Sequence, residues 1–261
     1  ALNTVLSAGA EVFYVDHHRS GEIPDNPALE AHINIAANTC TGLIVDYYLE
    51  GRFRDWAIVA AYGDNILTVA DDYANRAGYS QLQKTLLKQL GIAMNYNGYG
   101  ATANDLFYHP AELYRIAVQF DSPFDMIESR YDVFTQLTQG YKEDMERGLS
   151  IEPLHCSENV SIIVLPDEPW ARRVSGVLGN ELANQYPDRA HAVLTELNDE
   201  QGAELRYMVS LRAPKANSTG AVDIAVKFGG GGRAAAAGID VLPYACIDAL
   251  ILSMKQQYAG V

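Results

Sequence analysis

Val12-Phe13-Tyr14-Val15-Asp16-His17-His18 is an apolar run that ends abruptly in one acid and two adjacent histidines. Bounded by Gly9 ahead and the polar triplet behind, its four apolar residues read as a buried parallel strand. The triplet then falls at the strand's carboxyl end, the edge at which open α/β sheets hold their ligands. A neutral imidazole ligates a divalent metal, and its second ring nitrogen usually donates to a carboxylate or carbonyl that fixes the tautomer. Asp16, His17 and His18 therefore offer an orienting acid, a ligand and a further donor. The alternative is a polar loop carrying two solvated histidines.

A second segment lies far downstream. Phe228-Gly229-Gly230-Gly231-Gly232-Arg233 is a Gly-rich turn, and Ala234 to Ala237 and Gly238 after it are small enough for close backbone packing. Four glycines in a row give up chain entropy, which is tolerated where backbone takes positive φ or approaches a ligand closely; a flexible linker or a plain tight turn are the other readings. The two segments together resemble the DHH phosphoesterase family, whose C-terminal DHH-associated domain carries a Gly-Gly-Gly-His-x-x-Ala-Ala-Gly signature. Gly230 to Gly238 fits that signature except that Arg233 stands at the histidine position. An arginine holds phosphate but does not titrate near neutrality as histidine does.

Composition narrows the partners. The 261 residues suffice for two domains, and a hydrophobic fraction of 48% fits a globular protein. No apolar run approaches the ~20 residues that span a bilayer, and no basic-then-apolar leader opens the chain, so a cytoplasmic protein without membrane contact is expected. Cys40, Cys156 and Cys246 are odd in number and lack C-x-x-C spacing, which suits free thiols in a reducing compartment. The net charge is −14; residues 1–157 hold 10 basic and 21 acidic side chains and 158–261 hold 9 and 12. Such a surface repels long nucleic acid, so the anion expected is small and met by local groups.

In chain order, residues 1–9 read as the end of a helix stopped by Gly9. Arg19 to Asn34 reads as a loop, with His32 as a surface histidine or, less favoured, a lining residue. Asn38 to Leu49 spaces Cys40, Leu43, Ile44, Tyr47 and Tyr48 helically, with Asn38 or Thr39 as N-cap. Trp56 to Tyr62 is another apolar segment ending in Gly63 and Asp64; taken alone, Asp64 is a turn or cap residue. From Asp71 to Pro153 the pattern is helical, Leu82, Leu86, Leu87 and Leu90 marking one face and Leu113, Ile116, Ala117 and Phe120 another. Strands follow at Val160–Leu165, Ala190–Leu197 and Leu205–Leu211, with a helix from Glu168 to Gln185 and a turn at Asn198–Gly202. Ala221–Val226 and Ile247–Met254 read as helices covering that sheet.

The resemblance implies an α/β protein of two domains: residues 1–152, a parallel-sheet DHH domain with a helical connector, and residues 153–261, a smaller mixed-sheet α/β substrate-binding domain. It implies a hydrolase that cleaves small phosphate esters, such as short oligonucleotides or nucleoside bisphosphates, in the cleft between the domains with two Mn²⁺ or Mg²⁺ ions. It makes His17 and Asp64 metal ligands, puts Asp16 behind them and turns His18 to the phosphate. It gives Ser210, Arg212, Gly230, Gly231, Gly232 and Arg233 to the substrate, Ser210-Leu211-Arg212 matching a Ser-x-Arg element. A homodimer is compatible with it. Family members also carry an upstream strand with an Asp-x-Asp motif that this chain lacks, so a fragment, or a degenerate protein that binds anions or nucleotides without catalysis, is the competing expectation.

Overall fold

The computed structural model describes residues 1–197 and 205–259. The turn expected at Asn198–Gly202 lies outside the described residues. The chain forms two compact units: residues 1–98 with 107–139, and residues 99–106 with 140–261.

The first unit holds α1 (Leu2–Ser7), β1 (Val12–Asp16), β2 (Leu29–Ile33), α2 (Thr41–Tyr48), α3 (Arg54–Gly63), α4 (Leu67–Arg76), α5 (Gln81–Tyr96), α6 (Pro110–Ala117), α7 (Pro123–Ser129) and the first half of α8 (Tyr131–Leu149). β1 and β2 pair in parallel, Val12 against Leu29 through Asp16 against Ile33. The strand read at Val12–Val15 is therefore present and parallel, but it is not buried: Phe13 is 48% exposed and its neighbours are only partly covered. Among the described residues the sheet has two strands, which cover little surface between them. The stretch 19–34 is a loop only as far as Ala28, since β2 occupies its end.

A further correction concerns α2, and α3 gives form to a segment the sequence left open. The N-cap of α2 is Cys40 rather than Asn38 or Thr39, and its inward face is Cys40, Leu43 and Asp46, while Tyr47 is 87% exposed. Asp46 is buried beside the Arg54 guanidinium, whose Nε donates to its Oδ2 at 3.2 Å. The apolar segment before Asp64 is a helix, α3, buried through Ala57, Ile58, Val59, Ala61 and Tyr62. α5 starts where Ser80 and Gln83 cap each other reciprocally. Its Leu87 and Leu90 are fully buried against Ile58 and Tyr62, whereas Leu82 at the helix start is 69% exposed. Each buried leucine contributes about 1.5–3 kcal/mol.

The second unit comprises the rest of α8, β3 (His155–Cys156), β4 (Val160–Leu165), α9 (Pro169–Gln185), β5 (Ala190–Leu197), β6 (Arg206–Arg212), α10 (Ala221–Lys227), β7 (Gly231–Gly232), β8 (Ala236–Pro243) and α11 (Ile247–Gln257). One mixed sheet runs β3-β4-β5-β6-β8-β7, with β4 and β5 parallel across the α9 crossover and the other pairs antiparallel. Alternate residues go to opposite faces. Ile163, Leu165 and Val193 meet Trp170, Val174 and Leu178 of α9. Ile162, Leu194, Val209 and Leu211 meet Ile224, Leu250 and Met254 of α10 and α11. No helix among the described residues is long and apolar enough to cross a membrane.

Candidate functional site

Asp16 closes β1, and its carboxylate organises the turn that follows. Oδ1 accepts the backbone N–H of His17 at 2.7 Å and of His18 at 3.1 Å and sits 2.9 Å from His18 Nδ1, while Oδ2 accepts the Tyr14 hydroxyl at 3.1 Å. The His18 contact, first through its side chain and then its backbone, holds the Asp16 carboxyl well below the usual carboxylate range. The same carboxylate pushes the Tyr14 phenol up. With both oxygens committed, Asp16 orients the histidines more readily than it ligates an ion.

His17 turns the other way. Its Nδ1 faces Asp64 Oδ2 at 3.6 Å, and the two side chains line a cavity of about 390 Å³ with Cys40, Thr41, Gly42 and Asn95. Asp64 is the C-cap of α3: its N–H reaches Ala60 O, Asn65 follows at φ 60° and the Ile66 N–H returns to Ala61 O. Asn tolerates that left-handed conformation better than most residues. A methyl group added to Gly63 would come within 2.7 Å of Gly91 O, and one on Gly91 would run into the Val59 carbonyl. These two glycines let α3 and α5 touch along their backbones and thereby set where Asp64 stands.

An acid at a helix carboxyl end faces the negative end of the macrodipole, worth about 0.3–1 kcal/mol against it. A cation beside Asp64 relieves that cost. His17 Nδ1 and Asp64 Oδ2 stand 3.6 Å apart, Asp16 and His18 adjoin His17 with ligand-type atoms within 4.8 Å, and nitrogen with oxygen is the donor chemistry that Mn²⁺ or Mg²⁺ accepts. The residues present fit such an ion. His32 is apart from this cluster: it sits 2.7 Å from Glu30 Oε1, with its ring against Phe13 and Tyr48.

In the second unit, Arg212 ends β6 under α9. Its Nη1 donates to Ser210 Oγ at 3.0 Å and Leu211 O at 2.8 Å, Nη2 to Gly176 O at 3.1 Å and Nε to Asn180 Oδ1 at 2.6 Å. Every one of these acceptors is neutral. Among the described residues no carboxylate pairs with Arg212, and burial lowers its pKa because nothing nearby compensates the charge. A guanidinium held in place but not neutralised is suited to an incoming anion.

The Gly-rich turn lies two strands over. Gly231 pairs with Gly238, and a methyl on Gly230 would meet Gly238 O, so the backbone approach requires glycine there. Gly232, at φ 145°, crowds Ala237 in the same way. Arg233 and Ala236 bond reciprocally through their backbones, leaving the Arg233 side chain exposed at the hairpin tip.

Sequence reasoning passed over the ion network of α9. Arg172 donates to Asp105 Oδ1 from Nε at 3.0 Å and Nη2 at 2.6 Å and also pairs with Asp167; Arg173 pairs with Asp144 at 2.7 Å and donates to the Asp105 carbonyl. This network moors residues 99–106 to the second unit. The only signal in the sequence is the Arg-Arg pair inside an otherwise amphipathic helix.

No family model and no characterised protein sequence matches the chain. Solved structures do. One is a DHH-domain protein described as a member of a family of ribosomal proteins, 12% identical at a TM-score of 0.53 over 99% of this chain and 66% of that one. Another is the pGpG-specific phosphodiesterase PggH of Vibrio cholerae, 13% identical at 0.51 over 92% of this chain and 80% of that one. A third is the exonuclease RecJ bound to manganese, 14% identical at 0.52 over 100% of this chain and 72% of that one. The chain thus spans 66% of the length of the first of these. At such identities the likeness establishes the fold, which is that of the DHH-domain proteins.

Proposed function

We propose that this chain, folded as the DHH-domain proteins are, is a metal-dependent phosphoesterase acting on small phosphate esters such as short oligonucleotides or nucleoside bisphosphates. The observation that carries the reading is the approach of His17 Nδ1 to Asp64 Oδ2 at 3.6 Å beside a triplet whose acid is already fully hydrogen-bonded. Phosphodiesterase and exonuclease activities among its structural neighbours, one of them holding manganese, support it.

His17 and Asp64 would hold a divalent cation, Mn²⁺ or Mg²⁺. Such an ion supplies Lewis-acid activation of water and neutralises phosphate charge. Asp16 positions the His18 ring through Nδ1, and an Nε2–H on that ring would donate to a phosphate oxygen. Arg212 and Ser210 take the phosphate as donors, with Arg233 and the Gly230–Gly232 backbone as further contacts. The acidic surface excludes long polyanions and favours a short ester.

A second reading, a nucleotide-binding protein without catalysis, is favoured by Arg233, which remains charged where the family's histidine titrates. Intact protein with Mn²⁺ and a panel of pGpG, other dinucleotides and nucleoside 3′,5′-bisphosphates separates the two. Release of phosphate or mononucleotide that EDTA stops and fresh Mn²⁺ restores supports the esterase; binding without release at every concentration of Mn²⁺ rejects it.

A further inference from the structure

A cavity of about 260 Å³ lies on the α9 side of the second unit's sheet, lined among others by Tyr99, Gly176, Met208, Ser210, Gly238 and Asp240. β6 alternates strictly: Tyr207, Val209 and Leu211 are buried on the other face, which leaves Met208, Ser210 and Arg212 on this one. Ser210 stands opposite Gly238. Met208 on one strand and Asp240 on the other are each two residues further along, about 7 Å from the Ser210–Gly238 pair.

The cavity is therefore bipolar. At one end the Arg212 guanidinium bonds to Ser210 Oγ and Gly176 O, two lining residues, and lacks a carboxylate among the described residues. Asp240 marks the other end. Arg172 and Arg173 also reach the wall, but Asp105, Asp167 and Asp144 match them. Among the described residues Asp240 has no cationic partner. Alternation from Gly238 puts it on this face, and a bulge follows it: Tyr207 pairs with Leu242 and Val209 with Ile239, so Met208 alone opposes both Asp240 and Val241, and both of those are exposed. Tyr99, 44% exposed, closes the wall from the segment that Asp105 moors to Arg172.

A ligand that fits carries an anion, a flat group and, beyond it, adjacent N–H donors for a carboxylate. We propose that this cavity is a nucleobase subsite selective for guanine: Asp240 accepts the ring N1–H and the 2-amino group, Tyr99 stacks on the base, and Arg212 holds the attached phosphate. Adenine and cytosine present only one amino group to such a carboxylate, and uracil presents a single N–H between two carbonyl acceptors. The inference rests on the phosphate role given to Arg212 above and extends it to the choice of substrate.

The test is calorimetry on the intact protein without metal, titrated with GMP, AMP, CMP, UMP and ribose 5-phosphate. AMP, CMP and UMP are expected to bind about tenfold tighter than ribose 5-phosphate through stacking on Tyr99, and GMP about tenfold tighter again, as a hydrogen bond to a charged group permits. Asp240→Asn removes the GMP preference and leaves ribose 5-phosphate unchanged. Tyr99→Ala weakens all four nucleotides about tenfold and spares ribose 5-phosphate, while Tyr99→Phe restores them. Equal binding of GMP and ribose 5-phosphate by the unaltered protein, or a GMP preference that survives Asp240→Asn, overturns the assignment. The esterase reading fails separately, in a hydrolysis assay: guanine selectivity without Mn²⁺-dependent turnover leaves this subsite standing, and turnover without base preference removes the subsite alone.

Discussion

His17 at the carboxyl end of β1 and Asp64 at the carboxyl end of α3 face each other across 3.6 Å, a separation too long for a hydrogen bond and short enough for two donors to share one ion. Neither needs the other as a partner for the fold. His17 is mostly covered, with 19% of its side chain exposed, while Asp64 is 39% exposed, so the pair opens toward solvent on the acid's side.

That relationship predicts an order of effects on metal binding. His17→Ala abolishes Mn²⁺ binding measured by calorimetry, whereas Asp16→Asn, which disturbs only the orienting bonds, weakens it by about 10 to 100-fold. The unaltered chain binds Mn²⁺ weakly and at one position, because two side chains supply its ligands. Equal affinity across the three proteins returns the triplet to a solvated loop.

Gly91→Ala tests how Asp64 is placed. The added methyl runs into the Val59 carbonyl and comes within 3.1 Å of Tyr62 Cβ, so α3 and α5 must separate. A loss of about 1–3 kcal/mol is expected from denaturant unfolding, together with weaker Mn²⁺ binding. Unchanged stability and unchanged metal affinity would show that the helices have slack there.

The proposed phosphate contacts separate into a half-buried fork, Arg212, and an exposed arm, Arg233. Arg212→Lys keeps the charge but cannot span Ser210, Gly176 and Asn180 at once, and affinity for a phosphate ester falls at least about tenfold. Arg233→Ala lowers that affinity while stability stays within about 0.5 kcal/mol and Mn²⁺ binding is intact. Arg233→His retains activity and adds a pH dependence around 6.5. If Arg233→Ala binds substrate normally, the arginine is a surface residue and nothing more.

His191 predicts a loss of stability on mild acidification. It is buried in β5 with Nδ1 unpartnered and Nε2 3.5 Å from Tyr186 O, and burial lowers its pKa to about 4. Below about pH 6.5 the unfolded chain takes up a proton that the folded chain refuses until about pH 4, so stability is highest above 6.5 and falls through that window. At pH 5 the cost is about 2 kcal/mol relative to pH 7. Denaturant unfolding at the two pH values should show this difference, and His191→Leu should reduce it; an unaltered pH dependence in that variant would assign the effect elsewhere.

What the sequence made legible was local. β1, β4 and β5 stand out because branched apolar residues run together between turn formers, and α5 because its leucines repeat with the helix. β2 escaped because Leu29-Glu-Ala-His-Ile33, although it alternates, is short, has one β-branched residue and directly follows a Gly- and Pro-rich stretch; its pairing with β1 decides it. α3 looks like β1 in composition, yet its Ala-rich run is longer and packs on several sides, which suits a helix. The partners of Arg212 were illegible for another reason: Gly176 and Asn180 are 36 and 32 residues away in the chain and are neutral, so no charge pattern announces them. The Asp105–Arg172 pair, 67 residues apart, is hidden in the same way.

The six-stranded sheet ends at both margins in strands of two residues, His155–Cys156 and Gly231–Gly232. A free margin normally invites a foreign strand to continue the ladder. A guest pairing with either outermost strand would find two residues, too few to register against, and one of those strands is glycine without side chains to grip. Continuation of the ladder through these two short outermost strands is therefore disfavoured.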